Sequence, residues 1–183
     1  MLNPNDFPVI AAERNTAELD KALGSDVKII FDLNPDLLTL GEVVKTVHNH
    51  NKKLFIHLDL ATGIGKDKSG LTFVSDSGVD GIISTRVNII KMAREVGLFT
   101  VQRFFIVDSH SVDTTVEGLK SSKADTIEIM PAMEKAITLL KERVDVPIIA
   151  GGLISSSEEI SSAIKAGAEA ISTGNPDLWN YKE

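Results

Sequence analysis

The strongest constraint on the fold is an alternation of short apolar runs with helix-like segments, which repeats eight times along the chain. Many of the apolar runs are rich in β-branched residues and almost uninterrupted, which is typical of parallel strands covered on both faces. Eight strand–helix units predict an α/β fold of the (β/α)8, or TIM barrel, class. The predicted strands are Pro8 to Ala12, Val27 to Leu33, Lys53 to Leu60, Gly81 to Thr85, Phe99 to Ile106, Thr126 to Met130, Val146 to Gly151 and Ala170 to Thr173.

The barrel is predicted to be compact, because the 183 residues compare with roughly 250 in a typical barrel of this class. We therefore expect short or missing outer helices, notably after the first and last strands. Asn34-Pro35 predicts a helix start, and Ser155 to Glu159 offers a capping box for another helix. No linker-like tract interrupts the alternation, so residues 1–183 are predicted to form one domain.

Composition excludes several classes of protein. The chain has no cysteine, which rules out a disulfide framework and a thiolate metal site and favours a reducing compartment. No apolar segment approaches the roughly 20 residues that cross a bilayer, and Met1 to Asp6 lacks the pattern of a signal peptide. We therefore expect a cytoplasmic protein without membrane contact.

Two predicted strand ends carry small residues where the main chain would be accessible. The seventh strand runs into Gly151 and Gly152, and the eighth into Gly174 and Asn175, with Pro176 at the predicted first position of a short helix. If the two strands are neighbours, these amides and the helix start converge on one anion, because helix N-termini carry unsatisfied N–H groups and partial positive charge. A phosphate group fits this pattern best.

Ionisable residues also interrupt the apolar strands. His57 and Asp59 alternate with aliphatic residues, so both are predicted to point into the barrel near its C-terminal end. Burying such groups is costly unless they are paired or serve a ligand. An internal ion pair explains any single residue as well as a ligand contact does, whereas a binding site at the barrel mouth explains the whole set better. The alternative to a binding site is an internal ion pair of Arg103 with Glu128 or Asp59. The set comprises Asp32, His57, Asp59, Arg86, Arg103 and Glu128.

The residues alone leave the chemistry open. A Schiff-base aldolase needs a lysine at the inner end of a strand, and Lys28 and Lys53 lie at strand starts. His57 with Asp59 would serve as acid and base, or with Asp32 and Glu128 as ligands of a divalent cation, although neither spacing is specific. The residues thus predict a small barrel that binds a phosphorylated small molecule. A phosphosugar isomerase, synthase or epimerase is the enzyme alternative, and a degenerate scaffold is a third reading.

Charge is distributed unevenly along the chain. The formal net charge of −7 argues against a globally basic nucleic-acid binder, yet Lys and Arg outnumber Asp and Glu between Glu42 and Arg103. Within this region, Thr62 to Gly70 carries two lysines but matches neither a Walker loop nor a dinucleotide fingerprint. It is either a solvated flexible loop or a loop that closes over an anionic ligand.

A series of motifs covers nearly the whole chain in order, and Ser84-Thr85-Arg86 and Gln102-Arg103 are more specific than the paired glycines. With these motifs the chain resembles the glycerol-3-phosphate-responsive antiterminators, which regulate glycerol uptake operons. Small departures are Ala132, where that family often has Gly, and Gly174, where Ser is common. The motifs are His57 to Leu60, Gly81 to Arg86, Thr100 to Phe105 with Asp108-Ser109, Ile127 to Pro131, Pro147 to Ile154, and Ala170 to Asn175 with Leu178-Trp179.

The resemblance implies a regulator without enzymatic activity or cofactor, whose effector is glycerol 3-phosphate. The liganded protein would bind the leader of an mRNA and prevent transcription termination. The implied phosphate-binding residues are Gly151, Gly152, Thr173, Gly174 and Asn175. The expected contacts of the glycerol end are Asp32, His57, Asp59, Arg103 and Glu128. The candidate RNA contacts are Lys66, Lys68, Arg86, Lys91 and Arg94.

Control of RNA binding by a ligand requires two conformations that differ in ligand affinity. We expect the Gly63 to Gly70 loop to order over bound ligand and so to present its lysines. Short outer helices would leave apolar barrel flank exposed, which favours a homodimer.

Overall fold

Eight parallel strands close into a barrel in a computed structural model, which describes residues 8–182. Each strand pairs with the next along the chain, and β1 pairs with β8. The predicted (β/α)8 barrel is therefore confirmed, while Met1 to Asp6 lies outside the described residues. The strands β1 to β8 are Val9–Glu13, Ile29–Asp32, Lys53–His57, Gly81–Ser84, Phe99–Phe105, Thr126–Met130, Ile148–Gly151 and Ala170–Thr173.

Most of the outer helices are short, as predicted. The helices α1 to α7 are Thr16–Gly24, Leu40–Asn49, Lys68–Asp76, Val87–Glu95, Ser109–Ser122, Glu134–Lys141 and Ser157–Lys165. The helix after the first strand, α1, is present and short, with 9 residues, and Asn15 caps it by accepting a hydrogen bond from the Glu18 N–H at 3.0 Å. Within residues 8–182, β8 is followed by the 3-10 helix Pro176–Leu178, which has proline at its start as predicted.

Alternation along the strands separates two apolar layers. Along each strand, alternate side chains point outward against the helices, and those between them point into the barrel. Phe31, Phe55 and Val101 pack together in the interior. The ring centroids of Phe31 and Phe55 lie 5.7 Å apart, and those of Phe55 and Phe99 lie 5.6 Å apart. These aromatic rings fill part of the barrel interior, and a cavity opens at the C-terminal ends of the strands.

The third strand ends earlier than predicted. It stops at His57, and Leu58–Leu60 forms a 3-10 helix. The Asp59 carboxylate accepts hydrogen bonds from the Thr85 N–H at 2.7 Å and from the Ser84 hydroxyl at 3.0 Å. These contacts hold residue 59 across the end of β4, so the prediction that Asp59 continues the inward face of the strand is wrong.

The second helix begins later than predicted. Asn34-Pro35 does not start it; α2 begins at Leu40. The segment before it pairs instead with the β3–α3 loop, since the Leu37 N–H donates to Thr62 O at 3.0 Å and the Thr62 N–H donates to Pro35 O at 2.9 Å. Residues 35–37 therefore extend alongside another loop and are not helical.

The start of α7 follows the predicted capping box. The Ser156 hydroxyl accepts from the Glu159 N–H at 3.3 Å, and the Glu159 carboxylate accepts from the main-chain N–H groups of Ser155 and Ser156 at 2.7 and 3.2 Å. This cap fixes the far end of the β7–α7 loop. Among residues 8–182, no helix combines the length and apolar character needed to span a membrane.

Candidate functional site

The ends of β7 and β8 lie side by side, as the sequence predicted. Gly151 stands opposite Ser172 in the register of the two strands. Beyond it, Gly152 and Leu153 both have left-handed backbone conformations, with φ of +75° and +59°. Successive main-chain N–H groups in turns can form concavities that bind anions.

Three main-chain N–H groups at these strand ends have no hydrogen-bond partner among residues 8–182. Within the part of the chain that the structure describes, no hydrogen bond uses the N–H of Gly152, Leu153 or Gly174. The Asn175 N–H differs, because it donates to the Thr173 hydroxyl at 3.1 Å. The 3-10 helix after Asn175 has three residues, so a helix N-terminus adds little to the site. The amides of residues 152, 153 and 174 are defined here as the amide cradle.

A cavity of about 360 Å³ opens beside the amide cradle. This volume lies within the range of pockets that hold small molecules. Arg14 closes one side, since its Nη1 atom lies 3.7 Å from the position that a Cβ of residue 174 would take. The cavity is lined by Ala12, Arg14, Leu33, Arg103, Glu128, Met130, Gly152, Leu153, Ile154, Ser172, Thr173, Gly174 and Asn175.

A buried polar network forms the floor of the cavity. Arg103 Nε donates to Glu128 Oε2 at 2.6 Å, and the Ser172 hydroxyl donates to Glu128 Oε1 at 2.5 Å. The ion pair that the sequence offered as an alternative is thus present, with Glu128 as the partner. Residue 151 must be glycine, because a Cβ there would overlap Ser172 Oγ. No hydrogen bond among residues 8–182 uses the Arg103 Nη groups, which leaves them available to a ligand.

His57 extends this inward-facing polar layer. It lies two residues after Phe55 on the interior face of β3, and its side chain is buried. Its Nδ1 atom is buried and has no hydrogen-bond partner among the described residues. Burial, with the nearby positive charge of Arg103, lowers the pKa of His57 to about 4, so the imidazole is neutral at pH 7. A neutral imidazole can both donate and accept a hydrogen bond.

Asp32 and Asp59 are not brought into the cavity. Asp32 alternates with the inward-facing Phe31 and Leu33, and it lies on the outer face of the barrel opposite Glu13. The Asp59 carboxylate is used at the end of β4, where Arg86 Nε also approaches it at 3.4 Å. Of the five residues expected at the glycerol end, Arg103 and Glu128 therefore line the cavity. Their role in ligand binding, and that of Asp32, His57 and Asp59, stays a prediction.

The alternative of a divalent cation site finds no matching geometry. Asp32, on the outer face, is separated from His57 and Glu128 by the barrel wall. Within residues 8–182, no group of three His, Asp or Glu side chains lies close enough to hold a metal ion.

The five candidate RNA contacts lie on one side of the barrel, in the β3–α3 loop and on the adjacent α3 and α4. All five residues are exposed. Lys66 Nζ donates to Asp59 O at 2.6 Å, Lys68 Nζ lies 3.7 Å from Glu95 Oε2, and Lys91 Nζ donates to the Ser121 hydroxyl at 3.2 Å. The other two are Arg86, at the N-cap of α4, and Arg94, in its last turn.

The Gly63 to Gly70 loop is anchored at two points. Ile64 is buried in the outer core, and the Asp67 side chain caps α3 by accepting from the Gly70 N–H at 2.9 Å. Lys68 belongs to α3 and not to the loop. Ordering of this loop over a ligand stays a prediction, which now concerns Gly63 to Asp67.

Sequence reasoning missed Arg14, Leu153 and Ser172, all of which line the cavity. Arg14 did carry a signal, because it directly follows β1, the same kind of strand-end position that drew attention to Arg86. Ser172 carried another, since it is a hydroxyl within an apolar strand. Leu153 carried none, because only its main chain contributes.

One family model and one curated relative match nearly the whole chain. The family model described as glycerol-3-phosphate responsive antiterminator matches residues 9–179. The uncharacterized protein YgcP of Escherichia coli (strain K12) is 38% identical over 174 residues, covering 94% of this chain and 91% of its own length.

Solved structures show the same likeness. The glycerol uptake operon antiterminator regulatory protein of Listeria monocytogenes is 31% identical, with a TM-score of 0.89 and 95% of each chain covered. The glycerol uptake operon antiterminator-related protein of Thermotoga maritima is 27% identical, with a TM-score of 0.85 over 96% of this chain and 99% of its own. Likeness to an aldolase at 13% identity and a TM-score of 0.74 shows the fold alone.

Proposed function

Because the chain belongs to the glycerol-3-phosphate responsive antiterminator family, we propose that it binds glycerol 3-phosphate at the barrel mouth and acts as a transcription antiterminator. In this proposal the liganded protein binds the leader mRNA of a glycerol-utilisation operon in the cytoplasm and prevents termination. The ligand is an effector, and it is not turned over.

The observation that carries the proposal is the amide cradle beside an arginine-lined cavity. Main-chain N–H groups without partners are costly to leave unsatisfied, and an oxyanion satisfies several of them at once. The phosphate group would sit against Gly152, Leu153 and Gly174, with Thr173 and Asn175 shaping the loop. Gly151 would contribute by allowing the close packing beneath it.

The glycerol end is assigned to the buried polar layer. The Arg103 Nη groups and the unpartnered His57 Nδ1 have hydrogen-bonding capacity that hydroxyl groups of a ligand can use. Glu128 would act mainly through Arg103, because both of its oxygens already accept hydrogen bonds. Asp32 and Asp59 would contribute less, since Asp32 lies on the outer face of the barrel and the Asp59 carboxylate already accepts hydrogen bonds from Ser84 and Thr85, whereas His57 faces the interior without lining the cavity itself.

The same geometry argues against a Schiff-base aldolase. The cavity lining contains no lysine for a Schiff base, and the buried carboxylate is held in an ion pair and a hydrogen bond. Isothermal titration calorimetry with glycerol 3-phosphate, combined with phosphorus NMR of the same mixture over hours, tests the proposal. Saturable binding with an unchanged ligand spectrum is expected. Turnover of a phosphosugar that His57→Ala or Asp59→Ala abolishes would contradict it in favour of an enzyme.

RNA binding is assigned to the basic side formed by Lys66, Lys68, Arg86, Lys91 and Arg94. Fluorescence anisotropy with the operon leader RNA should show affinity that rises with glycerol 3-phosphate and falls with salt. Replacing Lys91 and Arg94 by glutamine should weaken binding and reduce the salt slope by about 1 per lost phosphate contact.

A matched control removes two lysines from the other side of the barrel. Lys21 and Lys165 are exposed residues on α1 and α7, so their double replacement by glutamine should leave RNA binding unchanged. Equal losses in both double variants would mean that net charge alone, and not this face, determines RNA binding. A homodimer would enlarge the RNA footprint, and a sedimentation coefficient that stays monomeric at all concentrations would contradict that part of the proposal.

A further inference from the structure

We propose that Arg14 makes the amide cradle selective for a phosphate group, by supplying the cation that pairs with its oxygens. This inference rests on the proposed function, because it assigns a recognition residue to the same site. Arg14 lines the cavity, and its Nη1 atom lies 3.7 Å from the position that a Cβ of Gly174 would occupy. The guanidinium group thus lies directly against one of the three residues of the amide cradle.

Of the three charged side chains that line the cavity, Arg103 and Glu128 form an ion pair, and Arg14 has no oppositely charged partner within residues 8–182. The Arg103 side chain is 8% exposed and its Nε lies 2.6 Å from Glu128 Oε2, so the charges of this buried pair compensate each other. For Arg14, no ion pair and no side-chain hydrogen bond is formed within residues 8–182. A positive charge that no described residue neutralises, next to N–H groups without partners in the same range, creates a potential that favours an anion.

Within residues 8–182, the local hydrogen bonds do not use the Arg14 side chain. The nearest downstream carboxylate, that of Glu18, accepts a hydrogen bond from the Arg14 main-chain N–H at 2.7 Å. The Glu18 N–H in turn donates to the Asn15 side chain at 3.0 Å, which caps α1. Glu18 therefore fixes the backbone at the end of β1. A side chain at residue 174 would narrow the space beside the guanidinium, and glycine leaves that space open.

The chemistry of the two groups is complementary. A planar guanidinium offers parallel N–H donors that match two oxygens of a phosphate, and such charge-assisted hydrogen bonds are about twice as strong as neutral ones. The three main-chain amides can take up other oxygens of the same group. An uncharged polyol meets neither requirement, so Arg14 would distinguish glycerol 3-phosphate from glycerol.

Isothermal titration calorimetry of wild type, Arg14→Gln, Arg14→Lys and Arg143→Gln with glycerol 3-phosphate tests this inference. Arg14→Gln should weaken binding about 10- to 100-fold, as expected for loss of a charge-assisted contact. The affinity of Arg14→Lys should lie between those of wild type and Arg14→Gln, because lysine keeps the charge but lacks the planar guanidinium. Arg143→Gln removes the same charge from a surface pair with Asp113 and should bind like wild type.

The outcomes separate this inference from the proposed function. If wild type and Arg14→Gln bind glycerol 3-phosphate within about twofold of each other, Arg14 is not the selective residue and the proposed function stands. If wild type binds neither glycerol 3-phosphate nor inorganic phosphate, both are overturned. If Arg14→Gln lowers the thermal midpoint of the unliganded protein, the affinity of Arg14→Lys for glycerol 3-phosphate replaces it as the test. Weaker binding than wild type at an unchanged midpoint supports the inference, and equal binding overturns it.

Discussion

The polar residues at the barrel mouth divide into those that hold the protein together and those that retain capacity for a ligand. Thr173 belongs to the first group, since its hydroxyl donates to Ile154 O at 3.2 Å and its carbonyl accepts from Trp179 Nε1 at 2.8 Å. Asn175 caps the 3-10 helix through its side chain. Arg14 and Arg103 belong to the second group. A ligand would therefore meet main chain on one side and guanidinium groups on the other.

Gly151→Ala tests the packing of the buried network. A Cβ at this residue would overlap Ser172 Oγ and lie 3.0 Å from Glu128 Oε1, so the hydrogen bond between Ser172 and Glu128 would have to open. We expect the free energy of unfolding to fall by about 1–3 kcal/mol, the cost of a buried polar group without its partner. Affinity for glycerol 3-phosphate should weaken as well. Chemical denaturation and calorimetry measure the two effects.

Gly41→Ala is the matched control for this change. A Cβ at residue 41 meets nothing within 4 Å, and alanine is favoured over glycine in a helix such as α2. This variant should be at least as stable as wild type. A Gly151→Ala protein that is as stable as wild type would contradict the close packing of residue 151 against Ser172.

The sequence predicted some residues of the site for a clear physical reason. Arg103 and Glu128 interrupt apolar strands on the inward face, so their pairing was open to prediction. The roles of the Leu153 and Gly174 amides were harder to predict, because the pattern of side chains does not reveal which N–H group lacks an acceptor. That depends on where the ladder between β7 and β8 stops.

At the scale of elements, β1 and β2 end in two neighbouring buried carboxyl groups. Glu13 and Asp32 are register partners, and each is less than 10% exposed. Burial, with the nearby charge of Asp32, raises the pKa of Glu13 to about 8, and burial raises the pKa of Asp32 to about 6. These strand ends therefore hold a proton at neutral pH that the unfolded chain releases.

Glu13→Gln should change how stability depends on pH. Between pH 4.5 and 8 the folded wild type keeps the Glu13 proton and the unfolded chain does not, so its free energy of unfolding falls as pH rises through this window. Glutamine has no proton to lose at this position. The free energy of unfolding of the variant, measured relative to wild type, should therefore rise by at least about 1 kcal/mol from pH 5 to pH 8. Urea denaturation at several pH values measures the difference. Parallel profiles for the two proteins would contradict the buried carboxyl pair.

Strands were more predictable than the loops that connect them. The observed β6 and β8 have the predicted bounds, because alternation and apolar runs are local properties of the chain. The end of β3 and the start of α2 differ because Asp59 bonds to Thr85 and because Thr62 pairs with Pro35 and Leu37. Such contacts join distant parts of the chain and leave no local pattern.

At the scale of the whole molecule, the barrel separates two proposed functions in space. The cavity lies at the mouth, between the β1, β7 and β8 ends, while the basic side lies on α3 and α4. Lys66 lies between them, because its Nζ donates to the main-chain oxygen of Asp59, two residues after the end of β3 at His57. Coupling of the two sites requires a second conformation in which ligand affinity differs.

The β3–α3 loop is the proposed place for that coupling. If Gly63 to Asp67 orders over the ligand, hydrogen exchange of these amides should slow when glycerol 3-phosphate saturates the protein. The amides of α5, which is capped by Asp108 and Ser111, should serve as an internal reference. Exchange in the loop that stays unchanged at saturation would contradict coupling through it.

Binding of glycerol 3-phosphate by the amide cradle is tested most directly by proton–nitrogen NMR spectra recorded during a titration, because these spectra report on each amide separately. We predict the largest saturable shifts at the amides of Gly152, Leu153 and Gly174, with Gly24 and Gly97 at the opposite end of the barrel unmoved. Saturable binding that leaves all three amide signals in place and shifts others instead would contradict the account.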